Sequence, residues 1–438
     1  MTPERPCERP DAVVVGAGPA GCAAAITLAL AGRDVVLVDK ARFPRDKCCG
    51  DGLTTGALRR LEALGVDLAT LPSLAPLGSM LVRSPAGRTA KLPLARSPGL
   101  HGATARRLHL DAALVARARC AGARLLEGRQ VAGLAPDGDG RRGSGDPRVT
   151  LTLSDGTLLA ARSVIAADGA WSPLRRLLAV PGCAPAGAAP GEWHGFRAYM
   201  TEVGAASAGQ IAVWFEPSLL PGYAWSFPLG DGAANVGVCV RRGRGPQGRT
   251  LAQRFAAVLD RPFLASLLGP NAEPEGPIRS WPIPTGTRPA LLSALEGRVL
   301  FAGDAAHGAD PMSGEGIAQA LEMGIAAGHA VASGGSRAAA RNHEVAAAYA
   351  ESLRDLVVDH RLSSAARRAL SKGATAGAAL RVACRSEATR EAAARFIFDD
   401  RARSALFDVA RWPGLWRAFR HGDPPGPGPF AGISWDRR

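Results

Sequence analysis

A short apolar run, a turn of closely spaced glycines and an Ala-rich segment open this chain, and their succession restricts the fold more than any other feature. The run is Asp11 to Val15, the turn holds Gly16, Gly18, Ala20 and Gly21, and the segment Cys22 to Ala31 has helical composition. Gly32 fits the end of that helix, and Val35 to Val38 is a second buried strand ending at Asp39. The pattern is a βαβ unit with a GxGxxG turn. In such a turn the first glycine permits tight reversal and the second lets backbone approach a pyrophosphate. The third allows close helix–strand packing, and the helix N-terminus faces the phosphates. Asp39 stands where a carboxylate can bond ribose hydroxyls.

The rest of the chain extends this α/β pattern. A helix is expected from Thr55 to Leu64 and another from Leu108 to Gly122, the latter followed by a strand from Ala123 to Glu127. Val149 to Leu153 and Thr157 to Ala160 flank a hairpin signal, and Ser163 to Ala167 is a buried strand entering Asp168-Gly169. Pro136 to Pro147 reads as an exposed loop and Pro181 to Gly191 as a linker. Trp193 to Tyr199, Gln210 to Phe215, Tyr223 to Leu229 and Ala234 to Val240 alternate like antiparallel strands of a second domain. Arg298 to Ala302 re-enters the first domain, a helix follows from about Glu315, and the chain is mainly helical from Ala338.

Composition excludes several classes of function. No apolar run among the 438 residues is long enough to span a bilayer, and the first ten residues, with three prolines, lack an apolar signal core. A cytosolic protein is expected. Eight cysteines include no CxxC pair, which argues against a disulfide framework and a structural metal site. The net charge of +14 is carried almost wholly by arginine, since lysine occurs only at positions 40, 47, 91 and 372. No recognition fold or aromatic–basic platform accompanies it, so no nucleic-acid partner is expected. Attraction to an anionic membrane surface is the partner reading that this charge supports. Arg411, Trp412, Leu415, Trp416, Arg417, Phe419 and Arg420 form a basic–aromatic cluster suited to such docking, the alternative being that the rings pack on the body of the protein.

Two further segments point to FAD. Asp168-Gly169-Ala170-Trp171-Ser172-Pro173-Leu174-Arg175 resembles the DGxxSxxR segment of the para-hydroxybenzoate hydroxylase superfamily, and Gly303-Asp304 resembles its GD segment. The resemblance implies that Asp304 binds the FAD ribityl and that the Asp168-Gly169 loop approaches the nucleotide. Arg107 matches an arginine that approaches the cofactor. Three more segments resemble the geranylgeranyl reductase family, nearest its bacterial menaquinone side-chain reductase branch. They are Pro44-Arg45-Asp46-Lys47-Cys48-Cys49-Gly50-Asp51-Gly52-Leu53, Pro221-Gly222-Tyr223-Ala224-Trp225-Ser226-Phe227-Pro228 with Asn235-Val236-Gly237-Val238, and Pro311-Met312-Ser313-Gly314-Glu315-Gly316-Ile317.

This resemblance implies a two-domain flavoprotein: a Rossmann-like FAD domain from 1–75, 100–180 and 285–335, a mixed-sheet substrate domain from 76–99 and 181–284, and a helical region over 336–438. The implied cofactor residues are Gly16, Gly18, Ala20, Gly21, Asp39, Lys40, Cys49, Gly50, Arg107, Val131, Asp168, Gly169, Gly303, Asp304, Gly314, Gly316 and Ile317. Tyr223, Trp225 and Phe227 alternate along one strand and can wall a pocket for a lipophilic chain, or serve as sheet core. The implied reaction is reduction of isoprenoid double bonds by reduced FAD, with Cys49 as the catalytic residue and the adjoining Cys48 as its alternative. An isolated prenyl double bond has no electron-withdrawing group, so hydride attack needs protonation in step, from a thiol or a held water. No second GxGxxG marks a nicotinamide domain; NAD(P)H or a ferredoxin is the expected electron donor.

His307 departs from the reductase pattern and is common in flavin hydroxylases, so an aromatic or polyketide monooxygenase is the first rival. A flavin-dependent halogenase is disfavoured because YxWxFP replaces WxWxIP and Lys91 is the only lysine between Lys47 and Lys372. A lipid-binding flavoprotein without turnover is a third.

Overall fold

Ala12–Val15 is buried at every residue and sits at the centre of a six-stranded sheet. The computed structural model describes residues 7–94, 102–136, 147–183, 190–242, 251–334, 338–370, 377–378, 381 and 385–398. The sheet runs Ser293–Ala294, Val299–Phe301, Ser163–Ala166, Ala12–Val15, Val35–Asp39, Arg124–Glu127. All its pairings are parallel except that of Ser293–Ala294 with Val299–Phe301. Parallel strands covered on both faces need side chains that are apolar throughout, which is why these runs are rich in valine and do not alternate.

The helix after the first strand is Pro19–Leu30, three residues longer at its start than composition suggests. Proline at the first helical position loses no hydrogen bond, because that N–H would be unpaired anyway. Ile317–Ser333 packs against it, and Arg107–Cys120 also contacts it. The approach is close: a Cβ on Gly324 would lie 2.1 Å from the Ala20 carbonyl oxygen. A small antiparallel sheet of Val131–Pro136, Val149–Leu153 and Leu158–Ala161 shares the same apolar core through Val131, Leu151, Leu153 and Leu159.

A second sheet of seven strands runs Glu273–Ile283, Trp193–Thr201, Ala234–Arg241, Tyr223–Pro228, Gln210–Trp214, Ser79–Arg83, Thr89–Pro93. It is mixed, since Gln210–Trp214 pairs in parallel with Ser79–Arg83 and the rest are antiparallel. Alternation assigns its two faces. Ala212, Trp214, Ala224, Val236 and Val238 pack on one side in a core with Phe255 and Leu264, from helices Leu251–Leu259 and Pro262–Leu268. Ile211, Val213, Trp225 and Cys239 belong to a different cluster, with Met80, Val82 and Phe398.

The expected helix at Glu315 begins instead at Ile317, because Gly316 has the non-helical backbone of an N-cap. Glu315 lies in the turn before it, and its Oε1 accepts from Ala318 N at 3.3 Å. Helices Ala338–Ser352, Arg354–Leu370 and Glu387–Phe398 follow, the last packing on Thr89–Pro93. The C-terminal basic–aromatic cluster, most of the loop after Pro136 and most of the 181–191 linker lie outside the described residues. No helix among the described residues is long and apolar enough to cross a membrane.

Candidate active site

One cavity of about 960 Å³ is bordered by both large sheets. The first-sheet side begins at the glycine turn. Gly16 has φ 101°, and a Cβ there would lie 2.2 Å from the Ala167 carbonyl oxygen, so only glycine closes this turn. A Cβ on Gly21 would lie 1.7 Å from the Gly16 carbonyl oxygen. Gly21 does not border the cavity; it lets the helix seat on the strand. Gly18 opens onto two guanidinium groups, with Arg45 Nη2 at 3.7 Å and Arg107 Nη2 at 4.0 Å from an ideal Cβ. Two cations and a helix N-terminus around a bare backbone suit a pyrophosphate.

The other cofactor candidates line the same cavity. Asp39 closes the second strand and accepts from Ala17 N and Ala41 N, each at 2.7 Å. Lys40 is exposed at the rim, and Val131 borders the cavity beside Arg129 and Gln130. Asp168 accepts from Leu174 N at 3.0 Å through Oδ2, while its buried Oδ1 has no partner among the described residues. Burial pushes the Asp168 carboxyl up, against the Leu174 and Ser172 hydrogen bonds. An unpartnered carboxylate oxygen on the cavity wall, next to Gly169, fits a hydroxyl-bearing ligand. Asp304 borders the cavity beside Gly303, Gly314, Gly316 and Ile317, with its Oδ1 3.9 Å from an ideal Gly316 Cβ. The residues present therefore fit FAD.

The turn of Gly314 and Gly316 is held from several sides. Asp310 Oδ1 accepts from Met312 N, Ser313 N and Ser313 Oγ, and its Oδ2 accepts from Ser363 Oγ at 2.8 Å. Tyr223 donates its hydroxyl to the Ser313 carbonyl oxygen. A strand of the second sheet is thus tied to the turn that carries Gly314 and Gly316.

Arg107 is buried and pairs with Asp111 through Nε at 2.7 Å and Nη2 at 2.8 Å, and Arg45 Nη1 joins the same carboxylate at 2.8 Å. It is not a surface helix arginine. Burial opposes its charge, and Asp111 more than offsets that.

Tyr223, Trp225 and Phe227 all border the cavity, with successive ring centroids 6.0 and 6.2 Å apart. Gly237 makes room for them: a Cβ there would lie 2.1 Å from the Trp225 ring. Trp225 Nε1 donates to Asn235 Oδ1 at 3.0 Å, which satisfies the indole without opening the wall to water. Leu77, Met80, Val82, Leu92, Ile211, Val213 and Phe398 extend the apolar lining.

Cys49 joins the two parts. An ideal Cβ on the adjacent Gly50 would lie 3.4 Å from Phe227 and 3.6 Å from Trp225 Nε1. Burial pushes the Cys49 thiol up; the Arg107 guanidinium and the Asp51 backbone N–H act against that, and the Asp51 carboxylate acts with it. Cys48 borders the same cavity, and burial pushes its thiol up to about 12. The cations that act on Cys48 are Arg197 and Lys47, and the one that acts on Cys49 is Arg107; Asp51 acts on both. His307 does not border the cavity; its Nε2 lies 3.2 Å from the Gly182 carbonyl oxygen, and its backbone closes a short turn at φ 57°.

Sequence reasoning passed over Arg45, Lys47 and Asp51, although all three stand in the quoted segment around Cys49. Lys47 Nζ lies 3.7 Å from the centre of the Trp281 ring, and burial lowers it to about 8 against the pull of Asp304. No cluster of His, Cys, Asp and Glu that could hold a metal occurs among the described residues.

Comparison with known proteins identifies the family and the fold. The family model described as FAD binding domain matches residues 9–339. Menaquinone reductase from Mycobacterium tuberculosis is 34% identical over 330 residues, covering 72% of this chain and 74% of the relative. Digeranylgeranylglycerophospholipid reductase from Methanosarcina acetivorans is 27% identical over 340 residues, covering 73% and 74%. The crystal structure of a geranylgeranyl bacteriochlorophyll reductase-like protein from Thermoplasma acidophilum superposes with a TM-score of 0.72 at 20% identity, covering 92% of this chain and all of that one. The chain belongs to the FAD binding domain family and, within it, to the geranylgeranyl reductase group of flavin-dependent oxidoreductases.

Proposed function

We propose that this protein reduces carbon–carbon double bonds of an isoprenoid chain of the menaquinone or geranylgeranyl type. The observation that carries the reading is one continuous cavity with the glycine turn, Arg107 and Asp304 on one side, an apolar aromatic wall on the other, and the Cys49 thiol, pushed up by burial, at their junction. FAD, once bound and reduced, supplies a hydride there. Arg45, Arg107 and the Gly18 backbone would hold its pyrophosphate, Asp39 its ribose, and Asp304 its ribityl. Tyr223, Trp225 and Phe227 lay the chain against the reacting centre and exclude water. Cys49 delivers the proton that an unactivated double bond requires. The names of the similar menaquinone and geranylgeranyl-type reductases support this assignment. The position of His307 away from the cavity removes one feature that favoured a hydroxylase.

NAD(P)H, binding transiently, or a ferredoxin supplies the electrons. The substrate is a membrane lipid, and a net charge of +14 favours work at the anionic inner face of the cell membrane. Cys49→Ala tests the central assignment: it keeps its FAD and loses alkene turnover by about a hundredfold, while Cys48→Ala loses far less. Full turnover in Cys49→Ala would make the thiol a packing group.

A further inference from the structure

Asp51 is a fully buried carboxylic acid in the turn that follows Cys49. Its backbone lies in the left-handed region at φ 65°, between Gly50 and Gly52. Tyr199 Oη and Asn235 Nδ2 both donate to the same carboxyl oxygen, Oδ2, each at 2.8 Å. The other oxygen, Oδ1, is buried and has no partner among the described residues, although Asp51 borders the cavity. A buried anionic oxygen without a donor is costly, and a proton on that atom removes the charge.

The surroundings tie this carboxyl to the reacting centre. Asn235 Nδ2 also donates to the Cys49 carbonyl oxygen at 2.7 Å, and its Oδ1 holds the Trp225 indole. One amide therefore fixes the acid, the thiol-bearing residue and the aromatic wall in a single frame. On the outer side the Tyr199 ring lies between the guanidinium groups of Arg106, at 4.3 Å, and Arg197, at 3.7 Å. Arg197 bonds Asp46 at 2.5 and 2.7 Å, and Asp46 is 30% exposed. A polar seam thus runs from the surface to Asp51. The ionisable groups facing the carboxyl are Arg197 and Tyr199 on Trp193–Thr201, Arg107 on its helix, and Cys48 and Cys49 in its own turn; the Ala234–Arg241 strand contributes the neutral Asn235. Burial outweighs the hydrogen bonds and cations and lifts the acid to about 6.

We propose that Asp51 is a positioning residue for the reduction, holding the proton that restores the Cys49 thiol after each alkene is protonated. The proposal rests on Cys49 as proton donor. In each turnover the Cys49 S–H bond breaks and a C–H bond forms at one alkene carbon; the hydride from the reduced cofactor completes the other. The Asp51 O–H bond then breaks and S–H re-forms. The carboxylate regains a proton from solvent. The acid works in its protonated form, so turnover falls as pH rises through about 6.

The test uses the FAD-loaded protein and two readouts. The first is the pH dependence of iodoacetamide alkylation at Cys49, located by tandem mass spectrometry. The second is the pH profile of anaerobic turnover on a prenylated quinone. Asp51→Asn removes a negative charge beside the thiol, so the alkylation midpoint moves down by about one pH unit. Turnover at pH 6 drops about tenfold or more, and the decline around pH 6 disappears. Tyr199→Phe removes a donor to the charged form, so its turnover decline moves to higher pH with FAD content unchanged. An unmoved midpoint with an unchanged turnover profile in Asp51→Asn overturns the proposal. If that variant does not fold, an unshifted profile in Tyr199→Phe overturns it. Cys49→Ala separates the two claims. Full turnover there removes the donor assignment itself. Loss of turnover there, with Asp51→Asn like wild type, removes only the role of Asp51.

Discussion

Asp304 and Cys49 are single side chains whose value lies in what surrounds them. Asp304 sits beside Gly303, Gly314 and Gly316, where missing side chains leave room for a polyol against its carboxylate. Removing one charged hydrogen-bond partner costs about 1.5–3 kcal/mol. Asp304→Ala is therefore expected to weaken FAD binding by about tenfold to a hundredfold, read by fluorescence titration of flavin-stripped protein. Unchanged affinity would remove Asp304 from the cofactor site. Both residues were legible in the sequence because they stand in recognisable local segments. The environment of Asp51 was not. Its partners Tyr199 and Asn235 are 148 and 184 residues away, and only the second sheet brings them to its carboxyl. Arg45 was missed for a similar reason: its partner Asp111 is 66 residues distant, so the pairing that aims it at Gly18 has no local signature.

Strands decide the shape of the apolar wall. Tyr223–Pro228 pairs with Ala234–Arg241 so that Trp225 stands opposite Gly237. A methyl at Gly237 meets the Trp225 ring at 2.1 Å and the Phe196 carbonyl oxygen at 2.4 Å, and the carbonyl belongs to sheet backbone that cannot yield cheaply. Overpacking of this kind costs about 1–3 kcal/mol. Gly237→Ala is expected to lower the unfolding free energy by that amount and to displace the indole into the cavity, so that KM for long prenyl chains rises more than for short ones. A parallel loss for all chain lengths would mean that Trp225 does not shape the chain site. The alternation of Gln210–Trp214 and Tyr223–Pro228 made these strands readable in advance. Glu273–Ile283 was not, because Pro274, Pro277 and Pro282 break its pattern. Its place at the sheet edge explains how the prolines are tolerated, since an edge strand has N–H groups to spare.

At the scale of the molecule, the residues that line the cavity come from distant stretches of chain and from both large sheets. The fold class was legible because the glycine turn and the GD segment mark separate entries into one largely parallel sheet. The shared cavity was not, because it is formed only when the two sheets face each other. The +14 charge carries a prediction at this scale: FAD-loaded protein is expected to sediment with vesicles rich in anionic lipid and to be released as salt rises. Binding that ignores salt, or requires no anionic lipid, would refute an electrostatic attachment. The most direct measurement of the central claim is anaerobic. The flavin is reduced chemically, a menaquinone with an unsaturated side chain is added, and the lipid is recovered, re-oxidised in air and weighed by mass spectrometry. The account predicts oxidised flavin and a quinone heavier by two hydrogens in its side chain. A flavin that stays reduced until oxygen is admitted, or a quinone recovered with its side chain unchanged, would contradict it.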